Sequence, residues 1–213
     1  MPDLLKLTNI SKRYGTGRNV LSGLSYEFEP TTATGIVGPN GSGKTTLLRL
    51  LSVNAYPTSG TVMYGSLNIH EKPYEYLKHV GIVNDAIELP QYLTAVELLE
   101  WILRAKNLWN EQSETNIANL LDRLYLDESR YNLIGTYSSG MVRKVQIAVS
   151  LISNPSVLLM DEPLKSLDDA SRQATLTLLH EFRDIGGIVV LSSHLKSSLS
   201  TLCSDYLHFP VHQ

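Results

Sequence analysis

Eight consecutive residues, Gly38-Pro39-Asn40-Gly41-Ser42-Gly43-Lys44-Thr45, satisfy the spacing G-x-x-x-x-G-K-[ST]. Glycines at these positions let the backbone curl until successive N–H groups converge on phosphate oxygens. A helix that starts here adds the partial positive charge of its N-terminus. Lys44 brings a mobile cation to the β- and γ-phosphates of a nucleotide, and the hydroxyl of Thr45 is placed to ligate Mg²⁺, with Thr46 directly behind it. A second station lies far along the chain, where Val157-Leu158-Leu159-Met160 runs into Asp161-Glu162-Pro163. Adjacent residues at a strand end point in different directions, which suits two carboxylates to two tasks. Asp161 is the candidate to hold Mg²⁺, and Glu162 is the candidate to orient or deprotonate an attacking water. Four fixed positions of the first kind coincide by chance in roughly one per cent of chains of this length. Phosphoryl transfer, which needs both stations, is therefore the chemistry these residues point to.

Such residues need elements to bring them together. The opening third reads as strands punctuated by Gly and Pro: Leu4–Leu7, Leu24–Phe28, Ile36-Val37 and Thr61–Tyr64. A helix follows Gly43, with an apolar face at Leu47, Leu48, Leu50 and Leu51. After a strand at Val80–Val83, the stretch from about Ala95 to Leu124 reads as helix, with apolar stripes at Val96, Leu99 and Leu103 and then at Ile117, Leu120, Leu121 and Leu124. Helices at about 141–152 and 170–185 alternate with strands Val157–Met160 and Ile188–Leu191. Strands alternating with helices imply a largely parallel, covered sheet whose C-terminal strand ends gather the ligand, so Asp161 and Glu162 should face the phosphate loop. The expected class is α/β: a P-loop NTPase core with a mostly parallel sheet, an antiparallel β flank and a helical subdomain insert. As one domain over 1–213, the core would comprise 1–84 and 150–213, and the insert about 85–149.

Bulk properties exclude several roles. With 43% apolar and 18% charged residues the chain is an ordinary globular protein, and a net charge of -3 offers no global attraction to nucleic acid. The lone cysteine, Cys203, rules out an intrachain disulfide and favours a reducing compartment. No apolar run reaches bilayer-spanning length. The start, Met1-Pro2-Asp3, is unlike a secretion signal. A cytoplasmic protein is expected, with any membrane role arriving through a partner. The remaining histidines (His70, His79, His180, His208, His212) show no ligand spacing, so no structural metal is expected.

Taken together, these motifs resemble the ATP-binding cassette (ABC) ATPases from about Leu4 to Phe209. The most specific element is Tyr137-Ser138-Ser139-Gly140-Met141, followed by Arg143 and a helix, which is similar to the family's signature in its Y-S-x-G-M variant. The resemblance implies that Ser138, Ser139, Gly140 and Met141 bind the γ-phosphate of ATP held by an opposite subunit. It further implies that Tyr14 stacks on adenine, that Leu167-Asp168 ends a loop crossing the dimer interface, and that His194, in Ser192-Ser193-His194, touches the γ-phosphate. Two positions depart from the family pattern. Asp85 stands where glutamine is usual, and from that position it is expected to act in catalysis and as a ligand to Mg²⁺. Lys165-Ser166-Leu167-Asp168 replaces the usual serine-alanine-leucine-aspartate, so Lys165 brings a charge to the interface.

The implied protein is an ATP-hydrolysing subunit of a membrane transporter, with ATP and Mg²⁺ as cofactors. It would close head to tail as a homodimer, or as a heterodimer with a similar subunit, and would drive a separate transmembrane permease from the cytoplasmic face. Leu89, Tyr92 and Trp101 are the expected permease contacts. Nineteen residues follow His194 (213 − 194 = 19), so no appended regulatory domain is expected. Two alternatives carry other expectations: a soluble ABC ATPase acting on nucleic acid or ribosomes, which the net negative charge disfavours, and a regulator that binds nucleotide without hydrolysing it, which Glu162 and His194 disfavour.

Overall fold

Segments that are apolar on both faces, such as Val157–Met160, suit only strands covered on both sides. The computed structural model describes residues 3–194 and 196–210 and has that arrangement. Met1 and Pro2, which open the stretch unlike a secretion signal, lie outside the described residues, as does His212. The chain runs β1 (Leu5–Arg13), β2 (Asn19–Phe28), β3 (Ala33–Val37), α1 (Lys44–Leu51), β4 (Ser59–Tyr64), β5 (Leu67–Asn68) and α2 (Pro73–Leu77). It continues β6 (Val80–Val83), α3 (Ala95–Ala105), α4 (Ser113–Arg123), α5 (Ser139–Ile152), β7 (Val157–Asp161), α6 (Asp169–Asp184), β8 (Ile188–Ser193) and β9 (Asp205–His208).

One sheet has the order β6-β7-β8-β3-β9, with every neighbouring pair parallel. The other, antiparallel, has the order β2-β1-β4-β5. Strand alternation divides the core between the two faces of the parallel sheet. Val157, Leu159, Ile188 and Val190 join Leu47, Leu50 and Leu51 of α1 and Leu5, Leu7, Phe28 and Val62 of the antiparallel sheet. Leu158, Met160, Val189 and Leu191 join Leu99, Leu121, Val145 and Ile147 of the central helices and Leu179 of α6. Each such leucine or valine contributes about 1.5–3 kcal/mol by leaving water, so the sheet is the rigid base from which the functional loops project. The α/β class, the parallel sheet, the antiparallel flank and the helical insert all match expectation.

The long helical reading from Ala95 to Leu124 is corrected, because two helices occupy it. Thr94 and Glu97 form a reciprocal cap that starts α3: Glu97 N–H donates to Thr94 Oγ1 (3.1 Å) and Thr94 N–H to Glu97 Oε2 (2.8 Å). Asn107 then turns left-handed (φ 57°), and Leu108 N–H closes on Leu103 O at 2.8 Å, a C-terminal cap that ends α3. The apolar spacing of the two stripes was right, but a left-handed asparagine between them breaks the axis. At the other end of the insert, α5 packs on both β6 and the helices α3 and α4. It therefore joins the helical segment to the parallel sheet.

Candidate active site

The glycine-rich stretch from Gly38 to Thr45 leaves β3 and enters α1, the strand–loop–helix setting that the motif requires. Gly43 caps α1 in a left-handed conformation (φ 110°) that a side chain would oppose, and no side chain caps the helix, so its first N–H groups remain open to a ligand. Lys44 is buried and folds over the loop, donating to Gly38 O (2.7 Å) and Pro39 O (3.1 Å). The hydroxyl of Ser42 is buried without a hydrogen-bond partner. A buried polar atom of this kind is costly unless something else completes it, and a phosphate oxygen at this loop has the chemistry to do so. A cavity of about 360 Å³ opens here, bounded by Asn40, Gly41, Gly43, Lys44, Thr45 and Thr46, and by Asp85, Asp161 and Glu162 opposite.

Strand order brings the second station to the first. Asp161 is paired in register with Ser192 of β8, the strand that separates β7 from β3. Thr45 Oγ1 donates to Asp161 Oδ2 at 2.8 Å, and Ser192 Oγ donates to Asp161 Oδ1. Ser192 also accepts from Glu162 N–H at 3.1 Å. Held in this way, Glu162 takes a left-handed backbone (φ 49°), uncommon for a residue with a side chain, and its carboxylate meets His194 while that of Asp161 meets Thr45 and Ser192. His194, just past the end of β8, places Nδ1 3.3 Å from each Glu162 carboxylate oxygen. Thr45, Asp161, Ser192, Glu162 and His194 thus form one hydrogen-bonded set, with Lys44 lining the same cavity; the sequence quotes Ser192 but assigns it no role.

The signature residues pack on the loop between β7 and α6. Ser138 caps α5 by accepting from Met141 N–H (3.3 Å), and Ser138 and Ser139 are exposed, open to a second molecule. A Cβ on Gly140 would stand 2.7 Å from Ser166 O, so glycine is required there by the close approach of the loop between β7 and α6. Asp168 caps α6: its carboxylate accepts from Ser171 N–H (2.8 Å) and Ser171 Oγ (2.9 Å). Those two bonds hold its pKa below the ordinary carboxylate range, so this stabilisation is present at neutral pH and fades as pH falls through the lowered value. Tyr14 follows β1, half-exposed, with Lys12 Nζ 4.8 Å from its ring centroid.

Asp85 is placed differently from expectation. It borders the cavity, but its oxygens are taken by cations: Oδ1 by the guanidinium of Arg143 and Oδ2 by Lys165 Nζ at 3.1 Å. Its burial raises its pKa, but the hydrogen bonds and charges of Lys165 and Arg143 outweigh that, and the group sits below the ordinary carboxylate range. A carboxylate so engaged is a poor candidate for a metal ligand until those bonds open.

Comparison with known proteins adds a family to this geometry. The sequence profile described as ABC transporter matches residues 21–165. The linearmycin resistance ATP-binding protein LnrL of Bacillus subtilis (strain 168) is 30% identical over 200 residues, covering 94% of this chain and 64% of that protein. The uncharacterized ABC transporter ATP-binding protein YybJ of the same organism is 30% identical over 201 residues, covering 94% and 89%. The doxorubicin resistance ATP-binding protein DrrA of Mycobacterium tuberculosis (strain CDC 1551 / Oshkosh) is 29% identical over 188 residues, covering 88% and 57%. The chain therefore spans less than two thirds of LnrL and of DrrA. Among solved structures, an ATP-binding subunit of an ABC transporter superposes with a TM-score of 0.90 at 24% identity, covering 97% of this chain and 85% of that one, a likeness of fold.

Proposed function

The chain belongs to the ABC transporter family, and from that premise we propose that it binds and hydrolyses ATP as the motor subunit of a transporter whose spanning part is a separate protein. The observation that carries this reading is the convergence of Thr45, Asp161, Ser192, Glu162 and His194 on the phosphate loop through hydrogen bonds between distant segments. The residues fit Mg²⁺ as well as nucleotide. Thr45 Oγ1 and Asp161 Oδ2 lie 2.8 Å apart, about the separation of adjacent ligands around an octahedral ion with bonds of about 2.1 Å. Among the described residues no three His, Cys, Asp or Glu side chains gather as a metal cage, which suits an ion completed by phosphate and water. Bound Mg-ATP supplies the transferable phosphoryl group and neutralises part of its charge.

The protein's own residues do the rest. Lys44 and the open N-terminus of α1 hold the phosphates, and Thr45 and Asp161 hold the metal. Glu162 takes a proton from the attacking water, and His194 steadies the Glu162 carboxylate and the γ-phosphate. Two copies, or this chain and a similar one, close head to tail so that Ser138 and Ser139 of one face the nucleotide of the other. Hydrolysis removes that bridge and lets the pair open. Tyr14 stacks on the base. Tyr14→Ala is expected to weaken nucleotide binding by about 1–2 kcal/mol, with a smaller change in rate at saturating ATP. An unchanged Kd takes Tyr14 out of the site.

No helix among the described residues is long and apolar enough to cross a membrane. We assign attachment at the cytoplasmic face to the partner. Tyr92 (78% exposed) and Trp101 (63% exposed) project from the insert, whereas Leu89 is partly buried against the core and serves packing. The antiparallel bridge between Thr94 and Leu133 brings the exposed Leu133 next to the segment that carries Tyr92, which widens the apolar surface. Purification from gently solubilised membranes is expected to bring down a membrane-spanning protein together with ATPase activity. Tyr92→Ala with Trp101→Ala should lose that protein while the isolated subunit still releases phosphate. Retention of the partner by the double variant moves the contact elsewhere, and absence of any phosphate release from wild type refutes the motor reading.

A further inference from the structure

Asp85 joins three segments. It sits on the loop leaving β6, its Oδ1 is bound by Arg143 of α5, and its Oδ2 by Lys165 of the loop between β7 and α6. Helix α5 grips the first of these loops again through Gln146, whose Nε2 donates to Ile87 O (2.9 Å) and Asn84 O (3.4 Å) while its Oε1 accepts from Arg143 Nη1 (2.9 Å). The Arg143 side chain is only 7% exposed, so its charge needs a carboxylate, and Asp85 supplies one. Lys165 is the looser arm, with its side chain 59% exposed. Its backbone, however, is tied to the chemistry, because Lys165 N–H donates to Glu162 O at 3.1 Å and so closes the turn on which Glu162 adopts its left-handed backbone. The two positions that depart from the family pattern thus carry opposite charges and touch.

We propose that Asp85 is the hub of an ion-pair clasp rather than a ligand to Mg²⁺, and that Lys165 is a positioning residue whose bond to Asp85 fixes the turn presenting Glu162. The clasp rests on the ATPase reading for its functional meaning, though its structural half stands without nucleotide. Arg143–Asp85 locks the loop after β6 to the signature helix. Lys165–Asp85 then ties that assembly to the turn that presents Glu162, so a shift of α5 reaches Glu162 through this carboxylate as well as through the packing of Gly140 on Ser166. Because the Lys165 arm is exposed, salt weakens it far more than it weakens the Arg143 arm.

The test uses Lys165→Ala, which removes an exposed side chain and should not endanger folding, with Lys165→Arg as the conservative rescue. Backbone amide exchange over residues 162–168 of nucleotide-free protein is expected to quicken in Lys165→Ala and to return to the wild-type rate in Lys165→Arg. Steady-state hydrolysis by Lys165→Ala should show kcat lowered about two- to fivefold, the size of one exposed ion pair, with KM unchanged. Wild type at about 0.5 M salt, where the screening length falls below about 5 Å, should approach the variant. ATP affinity measured against Mg²⁺ concentration should give superimposable curves for wild type and Asp85→Gln. A shifted Mg²⁺ midpoint in Asp85→Gln would make Asp85 a metal ligand and overturn the hub. Unchanged exchange in Lys165→Ala would overturn the positioning role. A protein that hydrolyses no ATP would sink the motor reading alone, since the exchange measurement still decides the clasp.

Discussion

Glu162→Gln is expected to bind ATP normally, to lose turnover by about a hundredfold or more, and to accumulate as an ATP-bound dimer. The substitution preserves length, the left-handed turn and the bond from Glu162 N–H to Ser192 Oγ (3.1 Å), so nucleotide binding has no reason to change. What disappears is a carboxylate able to take a proton, a contribution of about a hundredfold to ten-thousandfold for a positioned base. An amide also replaces the anionic partner that His194 Nδ1 meets at 3.3 Å. Phosphate release and the molecular mass of the ATP-saturated protein check both halves. Near wild-type hydrolysis would place the base elsewhere.

Lys44→Ala should act on binding, where Glu162→Gln acts on turnover. The Lys44 ammonium is buried, and its hydrogen bonds to Gly38 O (2.7 Å) and Pro39 O (3.1 Å) close the loop on itself. Engaging phosphate means exchanging these carbonyls for charged oxygens, and charge-assisted bonds of this kind are worth about 1.5–3 kcal/mol. Affinity for ATP should therefore fall about ten- to a hundredfold. A thermal melt separates this loss from unfolding: a Kd that weakens with the melting temperature held constant supports the assignment. An unchanged Kd would show that the backbone N–H groups alone hold the phosphates.

Legibility differed sharply from element to element. Val80–Val83 and Val157–Met160 could be read from the sequence because short apolar runs bounded by polar residues leave few other structures open. The edge strand Asp205–His208 could not, since it mixes polar and apolar residues and is fixed only by its pairing with β3. Helix Pro73–Leu77 is too short to show a period. Within the site, the phosphate loop and the Asp161-Glu162 pair carry their chemistry in adjacent residues and so announced themselves. Arg143 and Gln146 did not. Their partners Asp85, Asn84 and Ile87 are some sixty residues away in the chain, and a buried arginine on an apolar helix looks like surface until the fold is known. Ser192 became meaningful only once strand order set it opposite Asp161.

The left-handed backbone at Glu162 also bears on how this protein responds to being stabilised. A side chain held at a φ of 49° keeps a local strain of about 1–2 kcal/mol that glycine would not feel. With Glu162 as the proposed base, heat tolerance and catalysis pull in opposite directions at this one position. A library screened for survival at high temperature, with no demand for work, would drift there toward glycine or asparagine and return robust subunits that grip nucleotide and stall. Any effort to harden this protein for use must hold position 162 fixed and look for its gains in the sheets and helices behind it.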